Sequence, residues 1–314
     1  MHILIIRPGA IGDTLLTFPI IQALKTQYPD PHITLVGNPI VLPLALSFGL
    51  VEEVSDYGQL QWSELFSTSG IHSPALRNQL QHTDLAICWL RDPGGLVEQN
   101  LRLVGVKHII VAPGRPPAGK RIHVVEYLAE TVGLQNVGAV RGAQFITPIS
   151  IVPINEGQSI GRNGLHPHNE HIAIHPGSGG THKCWPVPSF AAIIEQLWQR
   201  NYPILLLAGP ADHQRLKDIQ NHFASPPKSD MLNLLLDAPL LEVAQQLQQC
   251  KCYLGNDSGI THLAAMLGIP TIALFGPTDP AIWRPPGPSV EVIYNPVSEQ
   301  LPVEMVLEKL LRLL

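Results

Sequence analysis

Two short segments of this chain gather residue types able to hold an anion and to move a proton. Gly255-Asn256-Asp257-Ser258-Gly259-Ile260-Thr261-His262 follows an apolar run at 252–254 and opens a helical pattern. Backbone N–H groups at such a helix start face outward, and Ser258, Thr261 and His262 add side-chain donors, which together suit a phosphate. Arg7-Pro8-Gly9-Ala10-Ile11-Gly12-Asp13 repeats the arrangement directly after the apolar run at 3–6. Asp13 stands at the cap or in the first turn of the next helix. There it is either a capping carboxylate or a general base for a sugar hydroxyl.

A third group, His175-Pro176-Gly177-Ser178-Gly179-Gly180-Thr181-His182-Lys183-Cys184-Trp185-Pro186, lies between a strand pattern at 172–174 and a helix starting near Pro188. Its glycines permit close backbone approach to phosphate oxygens, and Lys183 supplies a point charge for a diphosphate. The alternative is a solvated loop with an exposed lysine. Trp185 weighs against it, because an indole beside the loop anchors the turn or lines a pocket.

Other chemistries lack their motifs. There is no GxxxxGK[ST] phosphate loop, and Gly9, Gly12 and Gly37 do not reproduce the GxGxxG spacing of dinucleotide enzymes. The chain has 14 histidines but no HExxH or comparable cluster, so no metal site is expected. His166 and His168 read as solvated residues.

The elements that must position these groups follow from short apolar runs alternating with helical patterns. Strands are expected at 2–6, 33–36, 85–90 and 108–111, and again at 172–174, 204–207, 231–235, 252–254, 271–275 and 290–294. The restart predicts two doubly wound α/β domains, 1–160 and 161–314, joined through a Pro- and Gly-bearing linker at about 148–171. Ligands of open α/β sheets bind beyond the carboxyl ends of the strands, so both glycine turns would face one central cleft. Pro19 should kink the helical stretch at 13–28. Residues 302–314 predict an amphipathic helix able to cross back onto the first domain.

Composition narrows the class. The 314 residues are 45% hydrophobic and 14% charged, which excludes a disordered chain, and no apolar run approaches the roughly 20 residues that span a bilayer. A net charge of −5 argues against nucleic acid as the main partner. The four cysteines lack CxxC spacing and read as reduced thiols. Without a signal-peptide pattern, the expected location is cytoplasmic. Lys120-Arg121 is either a solvated pair or a contact for acceptor phosphates at the inner face of a membrane.

Taken together, the Arg7 to Asp13 turn, the loop ending in Trp185-Pro186, and the Gly255 to His262 turn followed by Phe275-Gly276-Pro277-Thr278-Asp279-Pro280 resemble the lipopolysaccharide heptosyltransferases of glycosyltransferase family nine. The resemblance spans nearly the whole chain. It implies a GT-B fold of two Rossmann-like domains, with an ADP-heptose donor on the C-terminal one and an acceptor on the N-terminal one. It also implies inversion without a metal ion or cofactor. By resemblance Asp13 is the catalytic base and Lys183 the cation on the leaving diphosphate. Asp257, Ser258, Gly259 and His262 form the donor turn. Gly9, Gly12, Ser178, Gly179 and Asp212 stand at substrate-binding positions, Asp212 where an acidic residue reads the donor.

The resulting expectation is an inverting glycosyltransferase moving heptose from ADP-heptose to a lipopolysaccharide core or related glycolipid. A GT-B-like sugar-nucleotide epimerase and a non-catalytic sugar-nucleotide-binding protein remain as alternatives. Product analysis with a labelled sugar nucleotide separates the three.

Overall fold

A computed structural model describes residues 1–134, 171–223 and 230–314. The expected linker, apart from His171, the domain boundary at 160/161, His166 and His168 lie outside the described residues. Two compact units emerge, Met1–Arg141 and Gly142–Leu314.

The N-terminal unit is built on a five-stranded parallel sheet of order β3-β2-β1-β4-β5. Its strands are β1 (His2–Ile6), β2 (His32–Gly37), β3 (Glu53–Asp56), β4 (Leu85–Trp89) and β5 (His108–Ala112). All five side chains of β4 and four of the five in β1 are buried, which is why these strands read as continuous apolar runs and not as alternating ones. The strand β3, which the apolar pattern does not reveal, is a short edge strand of mostly polar residues paired on one side only, to β2. Ile6, Val36, Trp62, Cys88 and Leu101 belong to the core beside this sheet.

The helical stretch after β1 is not one kinked helix but two. Helix α1 (Ile11–Leu15) ends at Leu16, and α2 (Phe18–Gln27) restarts after Thr17. Pro19 falls in the first turn of α2, where its missing N–H has no intrahelical partner to lose, and the Thr17 carbonyl takes the N–H groups of Ile20 and Ile21. A proline that would damage a helix interior thus starts a new helix. The short α1 is left as a platform for Asp13.

The C-terminal unit carries a six-stranded parallel sheet of order β11-β10-β9-β6-β7-β8. Its strands are β6 (Ile172–His175), β7 (Ile204–Ala208), β8 (Leu232–Leu236), β9 (Cys252–Asn256), β10 (Thr271–Phe275) and β11 (Val290–Tyr294). Between β6 and β7 runs α7 (Val187–Trp198), and between β9 and β10 runs α10 (Gly259–Met266). Trp185, Phe190, Leu206, Leu254 and Ile272 sit together in this core, and each fully buried apolar side chain contributes about 1.5–3 kcal/mol. The last helix, α12 (Val303–Leu311), is capped by Pro302. Its stripe of Val306 and Leu310 is fully buried in the same core, with α12 packed on α7.

Candidate active site

Each sheet has one point where the strand order reverses. In the N-terminal unit the chain leaves β1 toward β2 and β3 on one side, while β4 and β5 lie on the other; in the C-terminal unit the reversal falls between β6 and β9. Loops leaving adjacent strands in opposite directions open a crevice at their carboxyl ends, the usual ligand position in such sheets. All three chemically suggestive segments are at these places.

After β1, Arg7 donates its backbone N–H to the Val36 carbonyl at 2.8 Å, which holds the turn against β2. Gly9 has φ +141, and a Cβ there would stand 2.6 Å from Asp13 Oδ2, so conformation and space both require glycine. Gly12 and Asp13 are the second and third residues of α1. Asp13 Oδ2 accepts the Ala10 N–H at 3.0 Å, and Oδ1 accepts Arg7 Nη2 at 2.7 Å. Capping and presentation are therefore compatible. The Arg7 side chain is 6% exposed and that of Asp13 29%. Burial pulls the Arg7 guanidinium below its ordinary pKa, and the Asp13 charge opposes that pull. Gly114 makes room for it, since a Cβ there would lie 1.8 Å from Arg7 Nη1.

In the C-terminal unit, parallel pairing sets His175 opposite Gly255, so the loops after β6 and β9 leave side by side. Asn256, fully buried at the end of β9, stitches them: its Oδ1 accepts the Trp185 N–H at 2.9 Å, and its Nδ2 donates to the Pro176 carbonyl at 2.7 Å. Trp185 anchors the loop. Its indole is buried against Phe190, and its Nε1 donates to the Leu301 carbonyl at 3.0 Å. With the loop fixed, Ser178 Oγ donates to the Asp257 carbonyl at 2.6 Å, and Lys183 Nζ meets Asp257 Oδ2 at 2.9 Å. His262 Nε2 stands 4.0 Å from the other Asp257 oxygen. Here the carboxylate is the buried partner, 6% exposed, and the lysine is 31% exposed.

Ser258 is the N-cap of α10 and accepts the Thr261 N–H at 3.4 Å; Gly259 is the first helical residue. The N–H groups that begin an α-helix have no intrahelical acceptors and carry the positive end of its dipole. Beneath the turn, Asp212 Oδ2 accepts from His175 Nε2 and from the Gly209 N–H, both at 3.1 Å, and His175 Nδ1 stands 3.3 Å from Ser258 Oγ. Burial opposes ionisation of Asp212, but the hydrogen bonds from His175 and the Gly209 N–H outweigh it and hold the carboxyl below its ordinary pKa.

The two parallel-sheet units have counterparts among known proteins. The model of "Glycosyltransferase family 9 (heptosyltransferase)" matches residues 156–309. Over 93% of its length the chain is 22% identical to lipopolysaccharide heptosyltransferase 2 of Escherichia coli (strain K12), covering 88% of that protein. The chain resembles the heptosyltransferases of glycosyltransferase family 9, with the family model matching most of its C-terminal unit. Its fold matches E. coli ADP-heptose lps heptosyltransferase II with a TM-score of 0.75 at 22% identity, over 100% of this chain and 98% of the other. It also matches the E. coli heptosyltransferase WaaC with ADP at a TM-score of 0.71 and 22% identity, over 100% of both chains. The two parallel-sheet units are thus those of a GT-B fold.

In the C-terminal unit Ser178, Lys183, Asp257, Ser258, Gly259 and His262 converge at the β6/β9 crevice, and in the N-terminal unit Gly9, Gly12 and Asp13 converge at the end of β1. Asp212 lies beneath the first group, bonded to His175 and packed against Gly177. Gly179 is exposed, and a Cβ there would meet nothing within 4 Å, so close packing does not require glycine. Three residues belong to these sites that motif reasoning gave no role: Arg7, His175 and Asn256. Their shared signal is a polar residue in the last position of a buried strand or just after it, where it faces the crevice.

Other expected features are local. Lys120 Nζ pairs with Glu130 at 2.6 Å and lies 5.9 Å from the Tyr127 ring centre. All four cysteines are free thiols, and burial pushes Cys88 up to about 12. Among the described residues, no group of three or more His, Cys, Asp or Glu is placed to hold a metal, and no helix is long and apolar enough to cross a membrane.

Proposed function

We propose that this chain transfers heptose from ADP-heptose to a hydroxyl of a lipopolysaccharide core or related glycolipid, with inversion and without a metal ion. The observation that carries the reading is the half-exposed Lys183 ammonium seated on the buried Asp257 carboxylate beside the start of α10. That arrangement offers positive charge and backbone donors to a diphosphate, such as that of the ADP bound in one structural relative.

In the reaction the acceptor oxygen bonds to the anomeric carbon as the bond from that carbon to the diphosphate oxygen breaks. The electron pair leaves with ADP, and Asp13 takes the hydroxyl proton. One displacement inverts the centre. Preorganised donors such as Lys183 and the N–H groups opening α10 are worth about 3 to 4 kcal/mol each when removed singly. The base contributes about 100-fold to 10,000-fold. Arg7 fixes Asp13 in the N-terminal unit, and Asp257 fixes Lys183 in the C-terminal unit. The reaction runs in the cytoplasm, at the inner face of the membrane that bears the acceptor.

The test is incubation of the purified protein with ADP-heptose and a heptose-deficient lipopolysaccharide core, with and without EDTA. The expected result is ADP release matched by a mass gain of one heptose, inverted at the anomeric carbon, at a rate that EDTA leaves unchanged. Turnover of UDP- or GDP-sugars with none from ADP-heptose would refute the donor assignment, and a rate abolished by EDTA the metal-free mechanism.

A further inference from the structure

The geometry points to Asp212 as a positioning residue that sets the donor turn through a buried Asp212–His175–Ser258 chain. The inference rests on the reading of the Ser258 turn as the donor site and adds a role for two residues beneath it. Its basis is an accounting of protons. An ionised carboxylate only accepts, so the 3.1 Å contact from Asp212 Oδ2 requires His175 Nε2 to be the protonated nitrogen. In a neutral imidazole Nδ1 is then an acceptor, and the group facing it is the Ser258 hydroxyl at 3.3 Å.

Two acceptors face that hydroxyl, His175 Nδ1 and, at 3.0 Å, Thr261 Oγ1. Thr261 Oγ1 donates to the Asn256 carbonyl, and the oxygen of Thr261 in turn is met by Tyr253 OH at 3.0 Å. Ser258 Oγ accepts the Thr261 N–H at the helix cap. Thr261 Oγ1 is already engaged by Asn256 and Tyr253, so the proposed chain takes the Ser258 proton inward to His175, and a lone pair of Ser258 Oγ serves the cap of α10. The diphosphate is left to Lys183 and the helix N–H groups, with Ser258 shaping the turn from below.

Asp212 is enclosed in keeping with this role. One oxygen serves both His175 and the Gly209 N–H, and the other lies so near Gly177 that a Cβ there would stand 2.0 Å away. His175, Asp212 and Ser258 are each at most 9% exposed. Removing the Asp212 charge frees His175 to exchange tautomers. Nδ1–H then opposes the Ser258 hydroxyl, and the cap loses its orientation.

Two measurements test this. The first is the ¹⁵N–¹H correlation of the His175 ring in the ligand-free protein, assigned by comparison with His175→Gln. The wild type should show protonated Nε2 and bare Nδ1, and Asp212→Asn a mixture; a wild type protonated at Nδ1 overturns the chain even if the variant fails to fold. The second is a double-mutant cycle on the dissociation constant of ADP. Asp212→Asn should weaken ADP about tenfold in the wild type and less than about twofold in a Ser258→Ala background. Equal losses in both backgrounds would mean that Asp212 acts without Ser258, and the inference fails. Wild-type protein that binds no ADP would refute the donor-site reading instead, while the ring spectrum still decides the chain.

Discussion

The two units solve the same problem with opposite signs. Each pairs a cation with an aspartate at a helix start, Arg7 with Asp13 at 2.7 Å and Lys183 with Asp257 at 2.9 Å. In the first unit the cation is buried at 6% exposure and the carboxylate is presented at 29%. In the second the carboxylate is buried at 6% and the cation is presented at 31%. The buried member holds its partner in place, and the more exposed member is the charge open to solvent. One unit therefore offers an anion, fit to receive a proton, and the other a cation, fit to receive a diphosphate. Sequence spacing alone makes the two turns look alike, and burial tells them apart.

The sharpest way to break this comparison is Asp13→Asn, which keeps the shape and removes the proposed base. Turnover should fall about 100-fold to 10,000-fold while ADP-sugar affinity measured by calorimetry stays within about twofold. Near-normal turnover in the folded variant would remove Asp13 from the chemistry.

Lys183→Ala tests the opposite sign. It should lower turnover about 100-fold to 1,000-fold and weaken ADP, with ADP release and calorimetry as the readouts. It also leaves Asp257 buried without its cation, so urea unfolding should show a loss of about 2 kcal/mol. Asp257→Asn, which leaves only a hydrated lysine unpaired, should cost less stability. If the two losses are equal, the assignment of buried and presented roles is wrong.

The smallest effect concerns the carboxylate under the C-terminal turn. Asp212 is held below its ordinary pKa in the folded state, so its ionised form adds stability above the unfolded-state value of about 3.9, and this is lost as pH falls through the folded value. The stability gap between wild type and Asp212→Asn in urea should therefore be largest near about pH 6 and shrink toward about pH 3. A gap that widens on acidification would contradict the direction of the shift.

Much of the fold was legible because parallel strands buried on both faces must be apolar throughout. The runs at 2–6 and 271–275 coincide with β1 and β10. The strand that escaped, Glu53–Asp56, is a polar edge strand, and an edge needs no continuous apolar run. The turns at Gly9 and Ser258 were legible for a related reason, since glycine and helix-capping residues answer to local backbone geometry. Pro19 was placed correctly but its consequence was not: a kink and a helix start differ only in whether the preceding turn ends, which Thr17 and its neighbours decide.

The sequence by itself determined the parallel strands, the glycine-bearing turns, and the candidates Asp13, Lys183 and Asp257, because apolar runs and backbone conformations are encoded within a few residues. Tertiary structure alone decided which charge is buried, that Ser178 and Lys183 close on Asp257 across 79 and 74 residues, and that Asp212 reaches Ser258 through His175. The physical reason is that burial and proton direction belong to neighbours brought together by β6 pairing with β9, and no local pattern records that pairing.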